Sequence, residues 1–478
     1  MVILSKTIST KSEVFSIYKC VLQINVPKGF YAYLTITGVI NSTTMTVTDS
    51  VGNSDWVASY ANKDPFFLLN PQFSVYLETK AEGTLGMKVN WDKIGTFNPS
   101  SEPVLPNTVP IVKSSADFDN GLLIYSNTNV SLVSIRPPTQ MEEIVMYMRN
   151  TVVFDGRSID DKLIGNLWQM YQLGNHVVSS GKYLTLYSFL PSIKTDSYAL
   201  IQDYENVKQF STYKGVSCFA DTLCNVIIDA RKGPGAAIRM SNNSHYLDEV
   251  DLAKDSTLTV YTGTVDPAHQ LVQYTDSQKL SAGQKFNGLF TTYMVDNSVG
   301  IVYQSTDILY SNWSSIFDGR NGIMASKNYG SFSSDQNLQE TFTGPSTDVY
   351  KMTLNVKNAG LTDGATLSVI VSSGGNIVFN ENYSSKKLPP AIISSNGNIV
   401  SIKYDTNGSE TSGIFLSFEF KLESSSGSTS TLSHVTSTSV PPTRDSTGST
   451  IETTTKLATH QLTFFVFFSF FFLHSFCI

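Results

Sequence analysis

The side chains that most often do chemistry are sparse in this chain of 478 residues, which has six His and four Cys. No Gly-x-Ser-x-Gly turn presents a serine nucleophile, and no His-Glu-x-x-His pairs two zinc ligands with a general base. No Gly-x-x-x-x-Gly-Lys-Ser/Thr loop offers its amides to a phosphate. Arg231-Lys-Gly-Pro-Gly235 is glycine-rich but lacks that ending and reads as a hairpin turn. His434, His460 and His474 fall in the biased C-terminal stretches. His176, His245 and His269 each stand alone, and a surface or hydrogen-bonded core histidine is the default for such residues. A serine–histidine–carboxylate relay would have to be assembled in space. Two acidic clusters, Asp248-Glu-Val-Asp251 with Asp255 and Asp117-Phe-Asp119, have oxygen chemistry suited to calcium. Solvated loop charge is the simpler reading. The expectation is no catalytic residue, no metal and no cofactor.

Modification chemistry is better represented. Six Asn-x-Ser/Thr sequons occur, at Asn41, Asn129, Asn242, Asn312, Asn382 and Asn407. Cys218 and Cys224 are close enough in sequence to close a small loop disulfide in an oxidising compartment; two reduced buried thiols are the alternative. Cys20 is then left over, its partner expected in sequence preceding Met1. Cys477 lies in an apolar tail and is expected to leave with it.

The elements that would position these groups are strands. Apolar residues make up 41% and charged residues 15%, and 62 Ser with 47 Thr make up much of the rest. Period-two stretches such as Tyr31–Thr37, Thr366–Val371 and Ile399–Tyr404 recur between Asn, Asp, Gly, Ser and Pro turns, the pattern of successive β-sandwiches. The expected modules are residues 1–96, 113–205, 206–310 and 311–422. Residues 97–112, with Pro99, Pro103, Pro106 and Pro110, read as a linker. Met141–Arg149 and Ser158–Gln172 are the stretches that could be helical. No repeat of 20–50 residues is visible, which argues against a solenoid or propeller. A formal charge of −7 argues against nucleic acid as a partner.

The C-terminus changes character twice. Residues 423–460 contain 21 Ser or Thr in 38 positions, too little apolar surface to offset chain entropy, so a disordered, O-glycosylated type of stalk is expected. Residues 461–478 are apolar, with eight Phe and no cation behind them. After a polar spacer, this is the pattern of a glycosylphosphatidylinositol signal, with Gly448 or Ser446 as the attachment cluster. A single-span tail is the alternative. At the other end, Val2–Leu4 is too short for a signal-peptide core, so the natural start is expected further upstream.

Cys20-Val-Leu-Gln-Ile-Asn-Val-Pro-Lys-Gly-Phe-Tyr-Ala-Tyr-Leu34 resembles the opening of the nematode CUB-like domain family, with Leu22 where that family has Trp. Val47–Asn53, Asp64–Phe67 and Phe73–Trp91 follow in the family's order. Val153–Ser158, Leu163–Leu167 and Ser179–Tyr187 are similar to the second half of such a module, and residues 322–422 to a whole one. The resemblance implies an all-β chain of tandem CUB-like sandwiches ahead of the stalk. It further implies a non-enzymatic glycoprotein of the outer cell surface, in an infection- and stress-responsive group with several members linked to membrane rafts. Its extracellular ligand is open: a glycan, a microbial surface or a protein. A structural coat component is the second reading, and an anchored hydrolase the third.

Overall fold

Alternation writes the strands. Leu338-Gln-Glu-Thr-Phe-Thr343 buries every second residue, so one face of the strand meets the core and the other meets water. The computed structural model describes residues 5–6, 18–39, 43–57, 60–79, 84–118, 120–136, 143–190, 198–216, 218, 224–241, 244–305, 312–425, 464–467 and 474–477. The fold is almost entirely β.

Four sandwiches follow one another, and the fourth shows their common plan. Its strands are Asn321–Ala325, Leu338–Thr343, Asp348–Ala359, Thr366–Ser373, Asn376–Tyr383, Ile392–Gly397, Ile399–Asp405 and Ile414–Ser425. Counted in that order, they form two antiparallel sheets, first–eighth–third–sixth and second–seventh–fourth–fifth. The third module repeats this order from Cys224–Ala230 to Ser298–Ser305, and the second from Ile111–Ser114 to Tyr198–Asp203. Each of these two adds a strand, Thr212–Val216 or Ser100–Pro103, parallel to its second strand. The first module shows the second to eighth strands of the plan, Tyr18–Asn25 to Thr84–Lys93. Its edges are lined by Phe464–Phe467, parallel to the eighth strand, and by His474–Cys477, antiparallel to the second.

Two expectations are corrected. The proline-rich stretch 97–112 is not a free linker: Ser100–Pro103 and Ile111–Ser114 are edge strands of the second module. Proline lacks only the N–H, and an edge strand has a side where that loss is harmless. Cys20 is not left over but disulfide-bonded. Cys477 stands opposite it across the strand pair, because an open edge accepts one more short strand.

Among the described residues, α-helix is confined to the second module. Glu143–Asn150 is helical, overlapping the expected stretch Met141–Arg149 and running one residue past it. Leu167–Leu173 is the second helix, opened by an Asn166–Gln169 capping box and closed by Gly174 at φ 65°. Lys162–Asn166, inside the stretch Ser158–Gln172 that was expected to be a short helix or loop, is a strand. No helix among the described residues is long and apolar enough to cross a membrane.

Each sandwich has its own core. In the fourth, Phe342, Phe418 and Phe420 lie with ring centroids 4.9–5.5 Å apart beneath Trp313. The modules are also joined by buried apolar clusters. Tyr31, Phe67 and Leu69 of the first pack with Val152, Phe154 and Tyr187 of the second. Val133, Ile135 and Leu200 of the second pack with Tyr213, Ile238 and Phe290 of the third.

Candidate functional sites at the junctions and surface asparagines

The junctions hold the densest polar chemistry. Between the first and second modules, Arg149 Nε donates to Asp55 Oδ2 at 2.6 Å, with 2% and 3% of the two side chains exposed. Trp168 Nε1 donates to the other oxygen of Asp55 at 3.2 Å, and the Arg149 guanidinium lies 3.9 Å from the Phe66 ring centre. Gln169 Nε2 donates to Asp49 Oδ2, and Asn53 Nδ2 to the Ile164 carbonyl. A buried charge pair of this kind fixes relative orientation, and losing one partner strands the other in a low-dielectric site.

Between the second and third modules sits His176. Its Nδ1 is 3.0 Å from Ser131 Oγ, and its ring packs edge-on to Tyr213 and tilted against Tyr204. Burial pushes its pKa down to about 4, so the ring is neutral at pH 7. Asn175 Oδ1 accepts from the Tyr213 amide across the same junction.

Between the third and fourth modules, Lys285 Nζ and Trp313 Nε1 both donate to the Glu340 carboxylate at 2.7 Å. The Gln284 side-chain amide bonds both the N–H and the C=O of Ile323, acting as a ladder partner for the first strand of the fourth module. His269 Nδ1 is 2.6 Å from Asp266 Oδ2, and its Nε2 is 3.3 Å from Ser331 Oγ. The structure therefore brings a serine, a histidine and a carboxylate together, which the sequence left open. Asp266 also accepts from Thr264 Oγ1 and the Ala268 amide, and its side chain is 42% exposed. Catalytic relays bury this carboxylate so that it holds the imidazolium charge. Here the chain ties the Pro267–His269 turn to the next module.

In the third module, Cys218 and Cys224 are bonded, with Cα atoms 5.7 Å apart. Val216 registers with Arg239, and Cys224 with Gln304. The disulfide thus closes the end of the sandwich over a buried polar chain. In that chain Arg239 donates to Gln304 Oε1, Tyr293 Oη donates to the same oxygen at 3.3 Å, and His245 Nε2 is 2.7 Å from Tyr293 Oη. Burial, reinforced by the Arg239 charge, holds His245 well below the ordinary histidine range, and burial pushes the Tyr293 phenol up.

The acidic clusters do not assemble. Among the described residues, no group of three His, Cys, Asp or Glu could hold a metal ion. Asp248 to Asp251 are strung along an extended strand, and Asp255 is exposed in the turn beyond it. Asp117 accepts from Ser114 N and Oγ instead, and Asp119 lies outside the described residues.

The six sequons, alike in sequence, differ in space. Asn312 and Asn382 are exposed. Asn407 is exposed at φ 48°, with its Nδ2 donating to the Gly364 carbonyl. Asn129 is half-buried, with its Nδ2 on the Ser179 carbonyl at 2.8 Å and its sequon Ser131 buried against His176. Asn41, Asn242, Gly448 and Ser446 lie outside the described residues. No sequence signal marked Asn129 as plugged, because its partner Ser179 lies 50 positions downstream, and His176, the partner of its sequon residue Ser131, lies 45 positions beyond that serine.

Residues 8–95 match the family described as CUB-like domain. Residues 105–189 and 205–307 match two families described as Domain of unknown function (DUF7592 and DUF7591). No curated protein matches the chain. Among solved structures, the CUB1-EGF-CUB2 domain of human MASP-1/3 is 11% identical, covers 42% of this chain and 94% of that chain, and has a TM-score of 0.18. A beta-porphyranase of glycoside hydrolase family 86 from the human gut bacterium Bacteroides plebeius is 11% identical, with 43% of this chain and 36% of that chain covered and a TM-score of 0.10. This chain spans about a third of that enzyme, and neither likeness carries an argument about activity.

Proposed function

We propose that this chain is a non-enzymatic glycoprotein of the outer cell surface that presents four rigidly joined sandwiches for recognition. One observation carries the reading: four sandwich modules of one strand order, the first matching a CUB-like domain, are held by buried contacts at their junctions while Asn312, Asn382 and Asn407 face water. Such a rod presents loops at fixed spacing, and loops on a rigid scaffold carry binding. The Cys218–Cys224 disulfide fits an oxidising compartment. Attachment through a lipid at Gly448 or Ser446 is supported by the spacer and apolar tail of the sequence; it would cut away Phe464–Phe467 and His474–Cys477, and with them the two strands that line the edges of the first module. A role in defence or stress response at an epithelial surface is supported by the resemblance to the nematode CUB-like group. The exposure of Asp266 supports the non-enzymatic reading over the hydrolase one.

The test has three parts. A phospholipase that cuts the lipid anchor should release the protein from cells, and retention overturns the anchoring. The released protein should bind microbial cells or host glycans; binding to neither, with transcript levels constant through infection, favours the structural-coat reading. A serine-hydrolase probe should leave Ser331 unlabelled, and labelling that depends on His269 would overturn the non-enzymatic reading.

A further inference from the structure

The fifth and sixth strands of each module are the last strands of their sheets on one side, so together they form a lateral edge. In three modules a neighbour covers that edge. Asp55 and Pro65, on the fifth and sixth strands of the first module, meet Arg149 of the second. Ile164, on the fifth strand of the second module, accepts from Asn53 of the first, and His176 beside its sixth strand packs on Tyr213 of the third. Gln284, on the sixth strand of the third module, reads the backbone of Ile323, in the first strand of the fourth.

In the fourth module no described residue of the chain covers this edge, and its aliphatic side chains face water: Ile377 is 62% exposed, Val378 52%, Leu388 66% and Ile392 59%. A bare edge of this kind is a site for pairing with another chain. Elsewhere in the molecule, one first strand is bare in the complementary sense. Cys224–Ala230 of the third module ends its sheet and carries Ile227 at 53% exposure.

We propose that the fifth–sixth edge of the fourth module docks on the first strand of the third module in a second copy of this chain. The contact repeats the geometry that already joins the third module to the fourth within one chain. Ile377, Val378 and Ile392 cover Ile227, and Asn396, exposed on the sixth strand, supplies a side-chain amide of the kind Gln284 supplies in the internal junction. The two surfaces differ, so the contact is heterologous and extends copies into an open row along a surface. Asn382 is exposed on the same fifth strand, so a sugar there stands beside the contact and limits it. The proposal does not depend on how the chain is held to a membrane.

Sedimentation velocity of the full chain over a concentration series, before and after enzymatic removal of N-linked sugar, tests it. Self-association is expected, stronger after sugar removal. Ile392→Lys and Ile227→Lys should each weaken it at least tenfold with unchanged melting temperature, since both side chains are exposed. An equimolar mixture of the two variants should recover a discrete dimer, because one intact edge and one intact first strand remain. A parent chain that stays monomeric in both glycoforms overturns the proposal. So does association that survives both substitutions, the mark of pairing through the apolar tail, or a mixture that yields no dimer, the mark of an isologous contact.

Discussion

Acidification should loosen the junction between the second and third modules, and His176 should be the main sensor. In the folded chain burial lowers its pKa to about 4, against 6.5 for an ordinary histidine. The unfolded chain therefore binds a proton that the folded chain refuses. Stability is full above about pH 6.5 and falls as pH drops towards 4. At 1.36 kcal/mol per unit, the linkage integral between pH 7 and pH 5 comes to about 2 kcal/mol. The ring is not wholly shielded, so solvent screening reduces this to about 1–2 kcal/mol. Tyr204, Tyr213 and Ser131 face the ring, and no carboxylate bonds it to offset the loss. For a module of about 100 residues, each kcal/mol moves the midpoint by about 4–8 °C. Differential scanning fluorimetry at pH 7, 6 and 5 reads this directly. His176→Asn keeps a polar atom near Nδ1 for Ser131 but cannot take up the proton, so its midpoint should fall less with acid than that of the parent. His245 is present in both proteins, so its own acid response cancels in the comparison. Equal acid slopes in parent and variant would refute the assignment.

Three further outcomes are expected. Asp55→Ala should cost about 3–5 kcal/mol, because it removes the buried charge-assisted bond between Arg149 and the Asp55 carboxylate; urea midpoints measure the loss, and small-angle scattering should show the first module released. Replacing Cys218 and Cys224 together by Ala should cost about 2 kcal/mol, the chain-entropy value for so short a loop, and should lower the melting temperature of the third module. Mass spectrometry after enzymatic deglycosylation in heavy water should find sugar at Asn312 and Asn382 but not at Asn129; Asn129→Gln should destabilise by about 1 kcal/mol through loss of the bond to Ser179.

The strands were legible because their signal is local. Leu338–Thr343 and Thr366–Ser373 alternate in sequence as they alternate in burial. The proline-rich stretch was misread for a related reason. Proline reports that a backbone N–H is missing, not whether the site needed one, and that depends on what lies beside Ser100–Pro103. The Asn166–Gln169 capping box is written in the sequence, but only the strand Lys162–Asn166 ahead of it decides that the helix begins there and not earlier.

The sequence alone determined the fold class, the short spacing that lets Cys218 and Cys224 close a loop, and the places where sugar can be offered, since these rest on residue types at short spacing; that the two cysteines are bonded is shown by the structure. Which groups meet was a tertiary decision. Asp55 and Arg149 are 94 positions apart, Ser131 and His176 are 45, and His269 and Ser331 are 62. Nothing in a local pattern encodes those pairings. Asp55–Arg149 and His269–Ser331 follow from packing one sandwich on the next, and Ser131–His176 and Asn129–Ser179 from folding distant strands of the second module together; the burial that results lowers the pKa of His176, while Asn312 and Asn382 stay at the surface.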